Sequence, residues 1–293
     1  MQEMVRMTLA EFDTRRKTVD TDRGPVSYLD SGAGRVAFFI HGVGTSGYLW
    51  RNVIRQLENE RRCIALDLPL HGHTPAAPDQ DFTLGALADV VAATCDALGL
   101  ETVDVVANDT GGAVAQIYAA RHPDRLSTLT LTNCETHDNV PPKAFLPTVL
   151  LARAGLLARI LPPLTRKVTR ARTLLYGMGY QNVHALPDEV VAAYVEPLLG
   201  TRDRALLFQR WIASLHPRDL LAVEPDLAAL EVPTLLVWGT GDMFFRTTWA
   251  YRLRDLVPGA REVVEIRGGK LFFPDERSRE LVVELRRFWA ARS

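Results

Sequence analysis

Hydrophobic positions in the first half of the chain switch repeatedly between continuous apolar runs of strand length and helical spacing. Residues 14–30 read as a hairpin turning at Thr21-Asp22-Arg23-Gly24. VAFFI (36–40) is a buried-strand run. The loop Gly42-Val43-Gly44-Thr45-Ser46 follows it, and then helical spacing through Trp50, Val53, Ile54 and Leu57. CIALDL (63–68) predicts another strand, ending in the loop PLHGHTPAAP. Thr83 stands as an N-cap before an amphipathic helix with Leu87, Val90, Val91 and Leu98 on one face. A β-branched run from Val103 leads into an Ala/Gly-rich helix, and STLTLTN (127–133) is a further strand. Strands separated by helices predict an α/β class with a mainly parallel sheet.

After Asn133 the pattern changes. From 135 to about 225 there are prolines and short helical patterns rich in Leu, Ala and Arg, with no clear strand. The alternation resumes at TLLVWGTGD (234–242) and EVVEI (262–266) and closes on a helix through Leu281, Val282, Leu285 and Phe288. The expected organisation is an α/β core over 1–134 and 226–293, interrupted by a helical cap over 135–225. In the cap, Leu146, Leu150, Leu151, Leu156, Leu157, Leu161, Phe208 and Trp211 are expected to pack against the sheet, a minority lining a buried apolar cleft. Arg153, Arg159, Arg166, Arg170 and Arg172 read as a solvated face.

Composition narrows the partners. With 293 residues, 47% hydrophobic, the chain can bury a large core. A net charge of −1 argues against a nucleic-acid or anionic-membrane surface, so a small-molecule substrate is the expected partner, acting on a monomer or a homodimer. No apolar run approaches a membrane span. The start, MQEMVRMTLAEFDTRRK, lacks the basic-then-apolar pattern of a signal peptide. Cys63, Cys95 and Cys134 have neither metal nor redox spacing and read as reduced, buried thiols of a cytoplasmic protein. His71-x-His73 lacks a third ligand, so neither metal nor cofactor is expected.

The chemistry concentrates in VDVVANDTGGAVAQIY (103–118). Asp109 falls at the tip of a strand-to-helix turn, with Ala107 and Gly111 two residues to either side. A tight turn of small residues would lift its side chain above the sheet. The positive end of the helix from Thr110 would keep it ionised. The free N–H groups at the start of that helix would face a developing anion. The plainer alternative is a helix N-cap.

Four segments together resemble an α/β-hydrolase, and more narrowly the haloalkane dehalogenase and epoxide hydrolase branch, whose nucleophile is Asp. They are His41-Gly42 with VGTSGYLWRNVI, ALDLPLHGHTPAAP, ANDTGG with Ala107 where Gly is usual, and VWGTGD. The resemblance implies the α/β-hydrolase fold with a helical cap, Asp109 as nucleophile, the backbone N–H groups of Thr110 and Val43 converging on a developing anion, and a His base after the last strand. That stretch, IRGGKLFFPDERSREL (266–281), contains no His; Leu271 or Phe272 stands in its place. Three substitutes are open. Lys270 could serve as base if desolvation lowers its pKa, though it also reads as an exposed lysine. His137 or His184 could reach in from the cap, though each also reads as a surface or capping residue. Otherwise Asp109 moves protons without forming a covalent bond.

Other roles follow the same resemblance. The acid is Asp242, which also reads as a turn residue, or Glu135. His41 supports the oxyanion loop; His71, His73 and His122 are structural or surface residues, and His216 has no argued role. A dehalogenase grips halide with Asn and Trp donors where Val43 and Thr110 stand here, so typical dehalogenation is disfavoured. Epoxide hydrolases have Pro where Gly44 stands, and cap tyrosines such as Tyr176, Tyr180 or Tyr194 could supply phenols, although tyrosines also serve as packing. Trp50, Tyr176, Tyr180, Trp211, Leu271 and Phe272 are expected around the substrate. The resulting expectation is hydrolysis of an epoxide, ester or carbon–halogen bond by Asp109 with a non-standard base. The alternatives are elimination, isomerisation or cyclisation with Asp109 as acid or base, or a ligand-binding homologue without activity.

Overall fold

The computed structural model describes residues 7–291; the part of the leader reading that falls on residues 1–6 lies outside them. Eight strands form one sheet in the order β1-β2-β4-β3-β5-β6-β7-β8. These are β1 (Arg16–Thr21), β2 (Gly24–Ser31), β3 (Val36–Ile40), β4 (Arg62–Leu66), β5 (Val103–Asp109), β6 (Leu126–Cys134), β7 (Thr234–Gly239) and β8 (Ala260–Ile266). The β1–β2 hairpin and the β2–β4 pair are antiparallel; β4, β3, β5, β6, β7 and β8 pair in parallel. β5 is buried at every position, as a central strand covered by helices on both faces must be.

The helix Leu84–Ala97 is capped as expected, Thr83 accepting from the Ala86 amide. The helix Thr110–Arg121 is buried from Thr110 to Ala119. Two glycines let it sink so deep. A Cβ on Gly111 would stand 2.3 Å from the His41 carbonyl oxygen, and one on Gly112 2.3 Å from Cys134 Cβ. All three cysteines are buried and free.

Between the adjacent strands β6 and β7 the chain makes a helical excursion. Its main helices are Leu146–Arg153, Leu157–Thr165, Asp188–Leu199 and Arg202–Ser214; its last short helix, Glu224–Leu227, runs across the 225 boundary. Leu157, Leu161, Phe208 and Trp211 are buried as expected. Leu146, Leu150, Leu151 and Leu156 are not: they are 37–54% exposed. The two helices carrying them turn only their Val149–Ala152 and Leu157–Leu161–Thr165 rows inward, so mixed spacing overstated their buried face. Among the described residues no helix is long and apolar enough to cross a membrane.

Candidate active site

β5 ends on Asp109, which takes φ 56° and ψ −138°. A non-glycine residue in that region stores strain and marks a site held by its surroundings. The surroundings are specific. Asn108 turns the other way and donates through Nδ2 to the Thr132 hydroxyl (3.0 Å) and to the Leu271 carbonyl (3.0 Å). The β5–β6 register shifts between Asn108 and Asp109. On the opposite side Gly42 leaves room: a Cβ there would lie 2.3 Å from Asp109 Oδ2. The main-chain amides of Thr110 and Val43 donate toward the carboxyl, while Oδ2 has no hydrogen-bond partner. Asp109 does not cap its helix through its side chain.

The electrostatics correct one expectation. Asp109 is not kept ionised by the helix end. Burial, then the charges of Glu135 and Asp242, push its pKa well above the usual carboxylate range, outweighing the Thr110 and Val43 amides. Glu135 is pushed up to about 7 by burial, against the bonds from its own amide and from the Thr110 hydroxyl (3.0 Å). Asp242 is pushed up to about 6, again mainly by burial. Its Oδ1 accepts from the Phe244 amide at 2.8 Å, so it is a turn residue as well, and its Oδ2 accepts from Asn133 Nδ2 at 2.8 Å. Three buried carboxyls thus share the carboxyl ends of β5, β6 and β7, and burial above all raises the pKa of each.

None of the histidines expected as a substitute base bonds to Asp109. His137, with φ 51°, places Nδ1 2.6 Å from Glu224 Oε1, leaving Nε2 buried without a partner. His184 is exposed on a short helix of the cap. Lys270 is half-buried and acts at a distance, its charge lowering the Asp242 pKa. His41 holds the loop after β3: it accepts from the Leu68 amide at Nε2 (2.9 Å) and meets the Gly42 carbonyl at Nδ1 (2.7 Å). His71 does the same for Gly44, whose amide donates to His71 Nε2 at 3.1 Å. Burial lowers the two pKa values to about 4 and about 3, so both rings are neutral and can accept.

The residues expected around a substrate are mostly committed to packing. Tyr176 donates its hydroxyl to the Gly44 carbonyl (2.8 Å), and Tyr180 donates to Asp275 (3.1 Å); neither phenol is free to donate to a substrate. Phe272 stacks on Tyr180 at 5.0 Å, and its amide donates to the Gly179 carbonyl. Leu271 is buried. Trp50 packs on Phe39 and Trp211 on His71, both fully buried with unpartnered indole nitrogens. The open clefts lie to the side. One of about 650 Å³ runs along the seam between core residues such as Ser46, Leu70 and Gly72 and cap residues Ala193, Pro197 and Leu207. Another, about 360 Å³, borders Arg51, Asn52 and Tyr180. Asp109 lines neither and is 4% exposed.

Sequence reasoning missed the residues that hold this site together. Asp275 accepts from Arg51 (2.9 Å), Asn52 (2.7 Å) and Tyr180, all buried, and so locks the loop after β8 to the helix after β3 and to the cap. Asn133 ties Asp242 to the Gly239 amide and carbonyl. The partners are distant in sequence, and no local pattern announces them.

A model of the α/β-hydrolase fold matches residues 38–276. The chain is 26% identical to the cis-3-alkyl-4-alkyloxetan-2-one decarboxylase of Shewanella oneidensis, over 96% of this chain and 89% of that protein. It is 28% identical to haloalkane dehalogenase 2 of Mycobacterium tuberculosis, over 88% of each. The haloalkane dehalogenase DatA of Agrobacterium tumefaciens C58 has the same fold, with a TM-score of 0.81 at 21% identity, covering 95% of this chain and 97% of that one. With its parallel sheet, its strained acidic elbow and its helical excursion between β6 and β7, the chain belongs to the α/β-hydrolase family, in the haloalkane dehalogenase-like branch.

Proposed function

We propose that this α/β-hydrolase is an enzyme that hydrolyses a small or medium, mostly apolar molecule at Asp109, opening the C–O bond of an epoxide or a strained ester by proton donation. The observation that carries the reading is a buried Asp109 with one carboxyl oxygen left without a partner, in surroundings that raise its pKa well above the usual carboxylate range. A ring oxygen that leaves as an alkoxide needs a proton, and a neutral carboxyl supplies it. The carboxylate left behind receives the Thr110 and Val43 amides, which favour its charged form. It then takes a proton from the water that adds to carbon, so that ring and water yield the hydroxylated product and the acid is restored. No His is required. Burial, and then the charges of Glu135 and Asp242, favour the protonated form of Asp109 between turnovers. The substrate reaches Asp109 from the cleft along the seam between core and cap.

A resting carboxylate nucleophile, the other route, would leave an ester on Asp109 that lacks a base for its release. Intact-protein mass measured during turnover of an epoxide, β-lactone and haloalkane panel separates the two. Acid–base catalysis predicts turnover with no adduct, and inactivity of Asp109→Asn. A stable alkyl adduct on Asp109 would replace it with the covalent route. Ligand binding by both proteins without turnover by either would make the chain a binding homologue.

A further inference from the structure

The helices Leu146–Arg153 and Leu157–Thr165 pack on the Arg202–Ser214 helix with one face each and present the other outward. That outer face is apolar. Leu150 is 54% exposed, and Leu156, Ile160 and Leu164 form a row at four-residue spacing, 38–43% exposed. The same stretch is basic: residues 139–187 hold seven Lys or Arg and no Asp or Glu, in a chain whose net charge is −1. Two of the seven are used internally. Arg153 donates to the Ala213 and Leu215 carbonyls, and Arg172 pairs with Asp188. Lys143, Arg159, Arg166, Lys167 and Arg170 make no ion pair among the described residues and are all exposed.

We propose that this face of the cap docks on an anionic lipid bilayer. Exposed leucines interleaved with long basic side chains suit the interface, where apolar groups enter the acyl boundary and Lys and Arg reach the headgroup phosphates. The total charge conceals this, because the excess acid lies elsewhere in the chain. A second copy is disfavoured as the occupant, since a self-complementary contact would bring together two copies of a stretch that holds seven Lys or Arg and no Asp or Glu between residues 139 and 187.

The test is co-sedimentation of the full chain with vesicles of phosphatidylcholine alone and of phosphatidylcholine with phosphatidylglycerol. Binding is expected only to the anionic vesicles and weakens as salt rises. Replacing Arg159, Arg166 and Lys167 together by Gln should reduce partitioning roughly 100-fold, at about fivefold per charge. The set Leu150→Ser, Ile160→Ser and Leu164→Ser should reduce it at least ~10-fold. An environment-sensitive dye on Leu150→Cys, with the native cysteines buried, reads insertion in an otherwise unaltered fold as a blue shift on anionic vesicles. Absence of binding at low salt, binding indifferent to the Leu and Ile replacements, a dye that does not shift, or dimerisation through this face in light scattering would each overturn the proposal.

Discussion

The tip of β5 and the loop after β8 touch through Asn108 and the Leu271 carbonyl, yet they have kept different things. At the tip of β5 the backbone is held in a specific shape: the strained φ of Asp109, Gly42 against its carboxyl, Gly111 against the His41 carbonyl, and the Thr110 and Val43 amides turned toward the carboxyl. The loop after β8 holds no imidazole. Its residues pack: Phe272 on the cap tyrosines, and Asp275 in a buried ion pair with Arg51. The elbow is built from backbone shape, which many residues enforce together, so it persists. A general base is one side chain, and its place can be given to packing without disturbing the fold.

The largest expected effect breaks this contrast at the elbow. If Asp109 is a proton donor, Asp109→Asn lowers kcat/KM by roughly 10²–10⁴-fold, and wild-type activity falls as pH rises past its raised pKa; steady-state rates across pH check both. The next lies in the loop. Asp275→Ala leaves the Arg51 charge buried and unpaired and should cost about 3–5 kcal/mol in denaturant unfolding. Leu271→His sharpens the comparison by returning an imidazole to the loop. An opposite charge near Asp109 favours its ionised form, so the loss of activity with pH should move down by about one unit or more.

A smaller effect concerns stability. Glu135 holds in the folded state a proton that the unfolded chain gives up near its ordinary 4.5, so its contribution is complete below that pH and is lost as pH rises through about 7. His41 and His71, neutral when folded, contribute in the opposite sense below 6.5. The difference between wild type and Glu135→Gln isolates the first group: on the order of 1–3 kcal/mol of pH-dependent stability should vanish between pH 4.5 and 7, read from melting curves. The smallest is Tyr176→Phe, which removes the bond to the Gly44 carbonyl and should cost about 1 kcal/mol.

Much of this was legible in the chain. Every expected strand formed, because alternating strand and helix signals are local and the largely apolar runs at 36–40, 103–106 and 234–237 suit a doubly covered sheet. Asp109 stood out because small residues must surround an elbow, and the missing His was visible by inspection. The outward leucines of the cap were misjudged because their spacing cannot say which side has a neighbour.

Sequence alone determined the order of elements, the position of the acidic elbow and the absence of an imidazole after β8, since each depends on residue type and near-neighbour spacing. Only tertiary structure decided that the pKa of Asp109 is raised rather than lowered. That depends on Glu135 and Asp242, brought beside it from the ends of β6 and β7 into a space too dry to ionise all three. Through-space repulsion and lost hydration have no signature along a chain.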